Sequence, residues 1–112
     1  MAQIIKRVKK ENIRGINVTI PHKHAIMKYI DAIDKAAATI GAVNTVVNNK
    51  GKLTGYNTDY IGFGHAVKKA GMSMKGKRVV MLGAGGAAHA VGYMIKLAKP
   101  KSFHIYNIDL LS

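Results

Sequence analysis

The chain has 112 residues, of which 18 are Lys or Arg and 5 are Asp or Glu, giving a formal net charge of +13. Its length suits one domain and excludes most complete two-domain enzymes, while its 48% hydrophobic content excludes a disordered tail. The absence of cysteine excludes disulfides and thiolate metal sites and is typical of a reducing compartment, so we expect a cytoplasmic protein.

The positive charge narrows the kinds of partner that the chain attracts. A basic protein favours nucleotide phosphates, carboxylate substrates or nucleic acid. The basic string "IIKRVKK" at residues 4–10 equally fits the solvated face of a helix. Because no nucleic-acid motif is recognisable and the aromatic residues are few and scattered, we expect no nucleic-acid partner. The longest apolar run, residues 79–95, is shorter than the about 20 residues of a membrane span, so we expect no membrane partner.

The start of the chain predicts a helix followed by a strand. Ile4, Ile5 and Val8 recur at helical spacing among lysines, and Gly15 breaks the pattern. The string "INVTI" then predicts a strand, which Pro21 should end because proline cannot donate to the ladder of a sheet.

The next part predicts helices and then a β-hairpin. Residues 22–40 predict one or two helices, with Asp31 as the N-terminal cap and Gly41 as the C-terminal stop. The string "NTVVNNKGKLTGYNTD" predicts two β segments joined by a turn at residues 49–52, with the Lys-Gly pair at its centre.

The last part of the chain predicts a β-α-β unit. Thr58 or Asp59 can cap a helix that stops at Gly71. After a polar connector, "RVVML" predicts a strand, "GAGGAA" a glycine turn, "HAVGYMIKLA" a helix and "SFHIYNID" a second strand. The fold class predicted for the chain is therefore α/β.

The glycine turn matches the arrangement GxGxxA, with Gly83, Gly85 and Ala88 at the three fixed positions. Between a strand and a helix, the first glycine permits a tight turn and the second lets a pyrophosphate approach the backbone. The small third residue allows close packing, and the N-terminus of the helix offers N–H groups to phosphates. This context favours dinucleotide binding over a glycine turn with a structural role alone.

The end of the second strand should contact the ribose of such a dinucleotide. Asp109 follows Gly85 at close to the about 20-residue interval expected for an acidic ribose ligand. A carboxylate there accepts hydrogen bonds from an unmodified ribose and repels a 2′-phosphate, which favours NAD. Asp109 equally fits a cap of the following turn.

Polar side chains recur at the predicted strand ends, where ligands collect in an open parallel sheet. They are Asn17, Thr19 and Lys23 around one strand end, Asn44 and Thr45 at the start of another strand, and Asn57 and Asp59 at the close of the next. Together they would supply amide, hydroxyl, carboxylate and ammonium groups to a polyhydroxylated ligand. Each one alone also fits a turn or cap residue. His22 and His24 lack an accompanying carboxylate or cysteine cluster, so we expect no metal.

Four strings taken together closely resemble the shikimate dehydrogenase family. They are "NVTIPHK", "GAVNTVV", "GYNTDYIGF" and "GKRVVMLGAGGAAHAV", in the order of that family. The resemblance implies reversible, NADP-dependent reduction of 3-dehydroshikimate to shikimate on the route to chorismate and the aromatic amino acids. It also implies that residues 1–71 end a substrate-binding α/β domain, linking helix included, and that residues 72–112 begin a Rossmann domain.

The resemblance also assigns residues to roles. It implies Lys23 and Asp59 as the catalytic pair and Thr19 and Asn44 as substrate ligands. Reduction of a ketone builds negative charge on its oxygen, which a lysine can protonate or stabilise. An ordinary Lys-Asp ion pair is the alternative. The cofactor-binding residues that motif and resemblance together indicate are Gly83, Ala84, Gly85, Gly86, Ala87, Asn107 and Asp109.

The chain departs from the family pattern at two places. An N-terminal segment with a substrate-binding serine string, the rest of the cofactor sheet and a C-terminal return segment have no counterpart here. Where the family has an arginine for the NADP 2′-phosphate, this chain has Asn107, Ile108 and Asp109. An NAD-dependent quinate/shikimate dehydrogenase and a catalytically silent nucleotide-binding remnant therefore remain alternatives, and a homodimer remains open.

Overall fold

The computed structural model describes residues 1–85 and 87–107, and the contacts of the chain divide it into two compact units. The first unit is Met1–Thr58 and the second is Asp59–Ser112. By its contacts, the helix after Thr58 belongs to the second unit. In the sequence-based prediction, this helix lies in the first domain, residues 1–71. The predicted domain boundary between residues 71 and 72 stays a prediction.

The first unit is built on a four-stranded mixed sheet. Its strand order is β1-β3-β4-β2, in which β3 runs antiparallel to both neighbours and β2 runs parallel to β4. In chain order the elements are α1 (Ala2–Lys10), β1 (Gly15–Asn17), a short 3₁₀ helix (Ala25–Tyr29), β2 (Ala32–Ile33), α2 (Lys35–Ile40), β3 (Thr45–Asn49) and β4 (Lys52–Tyr56).

Helix α1 forms where the apolar spacing predicts it. Ile5 and Val8 are buried on one face, and Lys6 and Arg7 between them are exposed. Basic residues occupy the last turn, where the partial negative charge of the helix C-terminus stabilises them. Beyond the helix, Asn12 takes a left-handed backbone conformation that turns the chain toward β1.

The strand β1 is shorter than the sequence suggested. It ends at Asn17 rather than immediately before Pro21. The carbonyl of Thr19 accepts a hydrogen bond from the N–H of His22 at 2.8 Å, across a turn that contains the cis Ile20–Pro21 peptide bond. The proline therefore lies inside a turn, beyond the last residue of β1 that pairs in the sheet.

The prediction of one or two helices over residues 22–40, with Asp31 as the cap, was wrong in part. Asp31 pairs with β4, donating its N–H to the carbonyl of Leu53 at 2.9 Å and accepting from the N–H of Leu53 at 2.7 Å. Because of this pairing, the chain is extended through β2 and helix α2 begins later than predicted. The cap of α2 is Asp34, whose side-chain carboxylate accepts a hydrogen bond from the N–H of Ala36 at 3.2 Å. Gly41 ends α2 in the left-handed conformation, as predicted.

The hairpin of β3 and β4 agrees with the sequence. Lys50 and Gly51 both have positive φ values, 51° and 89°, as a two-residue type I′ turn requires. The turn fixes the register that places Thr45 opposite Tyr56 at the other end of the hairpin. The inner face of the hairpin joins a core formed by Ile5, Val8, Val18, Ile26, Ala37, Val43, Val46 and Leu53.

The second unit contains the predicted β-α-β unit and one more helix. The elements are α3 (Asp59–Lys69), β5 (Arg78–Leu82), α4 (Ala88–Leu97) and β6 (Ser102–Tyr106), and β5 pairs with β6 in parallel. Helix α3 packs on α4, where the rings of Tyr60 and Tyr93 meet edge to face at 5.0 Å. The α/β fold class is therefore confirmed.

Candidate active site

In the first unit, the main chain around Asn44 joins segments that carry three of the predicted site residues. The carbonyl of Asn44 accepts from the N–H of Val18 at 2.7 Å, and Thr19 is the next residue. The N–H of Val43 donates to the carbonyl of Lys23 at 2.8 Å. The backbones of Lys23 and Asn44, and of Val18 next to Thr19, are thus held by two short hydrogen bonds.

The side chain of Asn44 binds the residues around the end of β4. Its Oδ1 accepts from the N–H of Thr58 and from the hydroxyl of Thr45, both at 3.0 Å. Its Nδ2 donates to the hydroxyl of Thr58 at 2.9 Å, and its main-chain N–H donates to the carbonyl of Tyr56 at 3.0 Å. Asn44 is therefore oriented by both sides of the hairpin.

The geometry that brings these strand ends together differs from the one assumed from the sequence. We expected an open parallel sheet, in which carboxyl ends of strands meet. In the first unit β3 and β4 are antiparallel, so the start of β3 lies beside the end of β4. Asn44 precedes β3 and Asn57 follows β4, and both fall at this end because of the hairpin register.

Thr19 is exposed and lines a concavity of about 410 Å³ in the first unit. Asn17 and His22 contribute polar atoms to its wall, and Ile16 and Ile26 contribute apolar ones. The predicted substrate ligand Thr19 therefore lies at an accessible surface with room for a small molecule, whereas the described lining of this concavity does not include Lys23 or Asn44.

The catalytic pair predicted from the resemblance is divided between the two units. Lys23 is half-buried in the first unit, and Asp59 is the half-buried first residue of α3 in the second. An acidic residue in the first turn also stabilises the partial positive charge of a helix N-terminus. The pairing of Lys23 with Asp59 stays a prediction.

In the glycine loop of the second unit, Gly83 makes the tight turn that the motif predicts. Gly83 has a φ of +97°, and its N–H donates to the carbonyl of Tyr106 at 2.7 Å, which ties the loop to the end of β6. A Cβ atom built on Gly83 or on Gly85 would meet no heavy atom within 4 Å. Helix α4 follows with Ala87 at its N-terminal cap. The binding of a dinucleotide diphosphate by this loop stays a prediction.

The structure describes some of the remaining predicted cofactor-binding residues and does not describe others. Ala84 is exposed in the loop, and Asn107 is exposed directly after the residue whose carbonyl binds Gly83. Gly86 and Asp109 lie outside the described residues. The choice between NAD and NADP that depends on Asp109 therefore stays a prediction.

Over residues 1–85 and 87–107, no group of three or more His, Cys, Asp or Glu side chains is arranged to hold a metal ion. In the same part of the chain, every helix is too short or too polar to cross a bilayer.

Sequence reasoning missed the structural importance of Asn57 and Thr58. Thr58 entered only as a possible helix cap, yet it makes two hydrogen bonds with Asn44. Asn57 is buried, and its Nδ2 donates to the carbonyl of Ala42 at 3.1 Å. The Lys-Gly turn was the signal in the sequence that could have revealed this role. It fixes the register of the hairpin, which places residue 57 opposite Asn44.

Comparison with known proteins adds evidence from outside the chain. Residues 1–46 match the family described as the shikimate dehydrogenase substrate binding domain. The shikimate dehydrogenase (NADP(+)) of Moorella thermoacetica is 51% identical over 98 residues, covering 88% of this chain and 33% of that relative. This chain belongs to the shikimate dehydrogenase family. It spans about a third of the length of that curated relative.

Two solved structures of similar proteins superpose on this chain. Shikimate 5-dehydrogenase from Listeria monocytogenes, in complex with shikimate and NAD, superposes with a TM-score of 0.88 at 42% identity, covering 95% of this family member and 37% of that chain. Quinate dehydrogenase from Corynebacterium glutamicum, in complex with NAD, gives a TM-score of 0.90 at 32% identity, covering 97% and 39%.

Proposed function

We propose that this chain acts in the reversible, NADP-dependent reduction of 3-dehydroshikimate to shikimate. The observation that carries the proposal is the hydrogen-bonded junction at Asn44, which joins the segments of Thr19 and Lys23 in a member of this family. The open glycine loop at Gly83 and Gly85 supports the dinucleotide part of the proposal.

The proposed chemistry assigns a role to each side chain. A bound nicotinamide dinucleotide would supply the hydride for the reduction. Lys23 would donate a proton to the developing alkoxide oxygen, or stabilise its charge, while Asp59 holds the ammonium and a ring hydroxyl in register. Asn44 and Thr19 would orient hydroxyl groups of the ring. The residues of the loop from Gly83 to Ala87 would bind the diphosphate through backbone N–H groups.

NAD-dependent oxidation of quinate or shikimate is the second candidate function. Two observations favour it: the similarity to a quinate dehydrogenase in complex with NAD, and the absence of arginine from the string Asn107, Ile108, Asp109. A cytoplasmic location and a homodimer also stay proposals, and light scattering of the purified chain measures the oligomeric state.

The test is shikimate oxidation by the purified chain, followed through formation of reduced nicotinamide. NADP and NAD are compared side by side, with shikimate and quinate as substrates. We expect turnover with shikimate and NADP, and a kcat about 10²- to 10⁴-fold lower in Lys23→Ala. A preference for NAD with quinate would favour the second candidate. Absence of turnover in a folded chain, as judged by circular dichroism, would contradict both and leave the silent remnant.

A further inference from the structure

Asn57 carries a buried side-chain amide near the end of β4. Only 3% of the residue is exposed, and its Nδ2 donates to the carbonyl of Ala42 at 3.1 Å. A buried polar group that loses its partner is costly, so this hydrogen bond constrains the position of Ala42 strongly.

The segment that Asn57 holds leads directly to the junction at Asn44. Ala42 lies between Gly41, which ends α2, and Val43, whose N–H binds the carbonyl of Lys23. A shift of Ala42 would move Val43 and Asn44 with it, because they are consecutive. The contacts of Asn44 with Val18 and Thr58 would then change together, as would the contact of Val43 with Lys23.

We infer that Asn57 is a positioning residue of the active site, which holds the segment 42–44 so that Asn44 and Lys23 keep their places. It acts through these residues and does not touch the substrate. The inference rests on the proposed function for its effect on turnover, whereas its effect on the segment can be measured without any ligand.

The chain offers a matched control at the opposite end of the same hairpin. Asn48 is 4% exposed, and its Nδ2 donates to the carbonyls of Ile13 at 2.9 Å and Val8 at 3.3 Å. Its Oδ1 accepts from the N–H of Gly51 at 2.8 Å. Asn57→Asp and Asn48→Asp make the same change, a side chain of equal size without the amide donor, at two buried sites. If either variant fails to fold, the pair Asn57→Ser and Asn48→Ser replaces it.

The first measurement is hydrogen exchange of individual backbone amides in the 112-residue chain. In Asn57→Asp we expect exchange to quicken about tenfold at Asn44 and Thr58, whose N–H groups bind across the junction. In Asn48→Asp the N–H of Gly51 keeps its acceptor, and we expect the increase instead at Ile13 and Asn48, whose N–H groups bind beside the lost amide donor. Unchanged exchange at Asn44 and Thr58 in Asn57→Asp would overturn the inference.

The second measurement is the kcat/KM for shikimate oxidation, taken at temperatures equally far below the melting midpoint of each variant. We expect a loss of about tenfold in Asn57→Asp and less than about twofold in Asn48→Asp. Equal losses in the two variants would show a general stability effect and overturn the inference. If the unsubstituted chain does not oxidise shikimate, the proposed function fails, and the exchange measurement alone decides whether Asn57 holds the segment.

Discussion

At the scale of single residues, side-chain amides and the close packing around one glycine determine how the first unit is held together. Asn44, Asn48 and Asn57 each bind main-chain atoms of another segment, so none of them acts as a simple turn residue. The sequence identified Asn44 through a family resemblance. It could not identify the partners of Asn48, because Val8 and Ile13 are remote in the chain and meet it only after the sheet has formed.

Gly55 on β4 shows how closely the core is packed. A Cβ atom at this position would lie 2.8 Å from Cγ2 of the fully buried Val43 and 2.5 Å from Cδ1 of Ile30. The tip of Ile30 can move, but the branched side chain of Val43 is restricted at χ1 and has no free space.

We therefore expect Gly55→Ala to lower the free energy of unfolding by about 1–3 kcal/mol through overpacking. Gly62→Ala is the control, because its Cβ in α3 would meet nothing within 4 Å. That substitution should raise the stability by about 0.5–1 kcal/mol, since alanine is the better helix former. Urea unfolding followed by circular dichroism measures both, and a neutral Gly55→Ala would contradict the packing argument.

At the scale of elements, local signals predicted the hairpin and the β-α-β unit but not the region between residues 22 and 40. The Lys-Gly turn and the glycine loop have backbone requirements that only a few residues meet, so the sequence shows them directly. The short β2 depends instead on its pairing with β4. No local pattern predicts that pairing, and the cap and stop residues Asp31 and Gly41 favoured a helix there.

The N-terminus of α2 provides a test of this element. Asp34 caps the helix, and six-residue helices are marginal without such support. We expect Asp34→Ala to destabilise the chain by about 0.5–2 kcal/mol, and Asp34→Asn to cost much less because its amide oxygen can still accept from Ala36. Thermal unfolding of the three proteins measures the difference, and equal losses in the two variants would argue against a capping role.

At the scale of the whole molecule, the two units differ in how well they bury apolar side chains. The first unit has a continuous buried core that includes Val46 and Leu53. In the second, the fully buried apolar residues among those described are Ala90 and Ile95, while Val80 and Leu82 on β5 are 56% and 80% exposed. Apolar burial is the main source of stability, so the units should differ in their resistance to opening.

We expect backbone amides of β3 and β4 to exchange with solvent at least about tenfold more slowly than those of β5 and β6. Hydrogen exchange read by NMR over minutes to days gives both rates in one sample. Amides within the hairpin ladder and within the β5–β6 ladder should be compared, so that every site is hydrogen-bonded in the folded chain. Equal protection of the two ladders would mean that the chain opens as one cooperative body.

The sequence alone determined the α/β class, the hairpin turn, the tight turn at Gly83 and the family. These features depend on residues close together in the chain, such as Lys50 with Gly51, or on motifs in a fixed order. Only the tertiary structure decided that Asp31 pairs with β4, that Asp34 is the cap, and that Asn44, Thr58 and the segments of Thr19 and Lys23 are joined. The physical reason is that the contacts of Asp31 and Asn44 connect residues far apart in sequence, and that the pairing of Asp31 with β4 leaves Asp34 as the helix cap. Their hydrogen bonds form only when packing of the core brings their segments together.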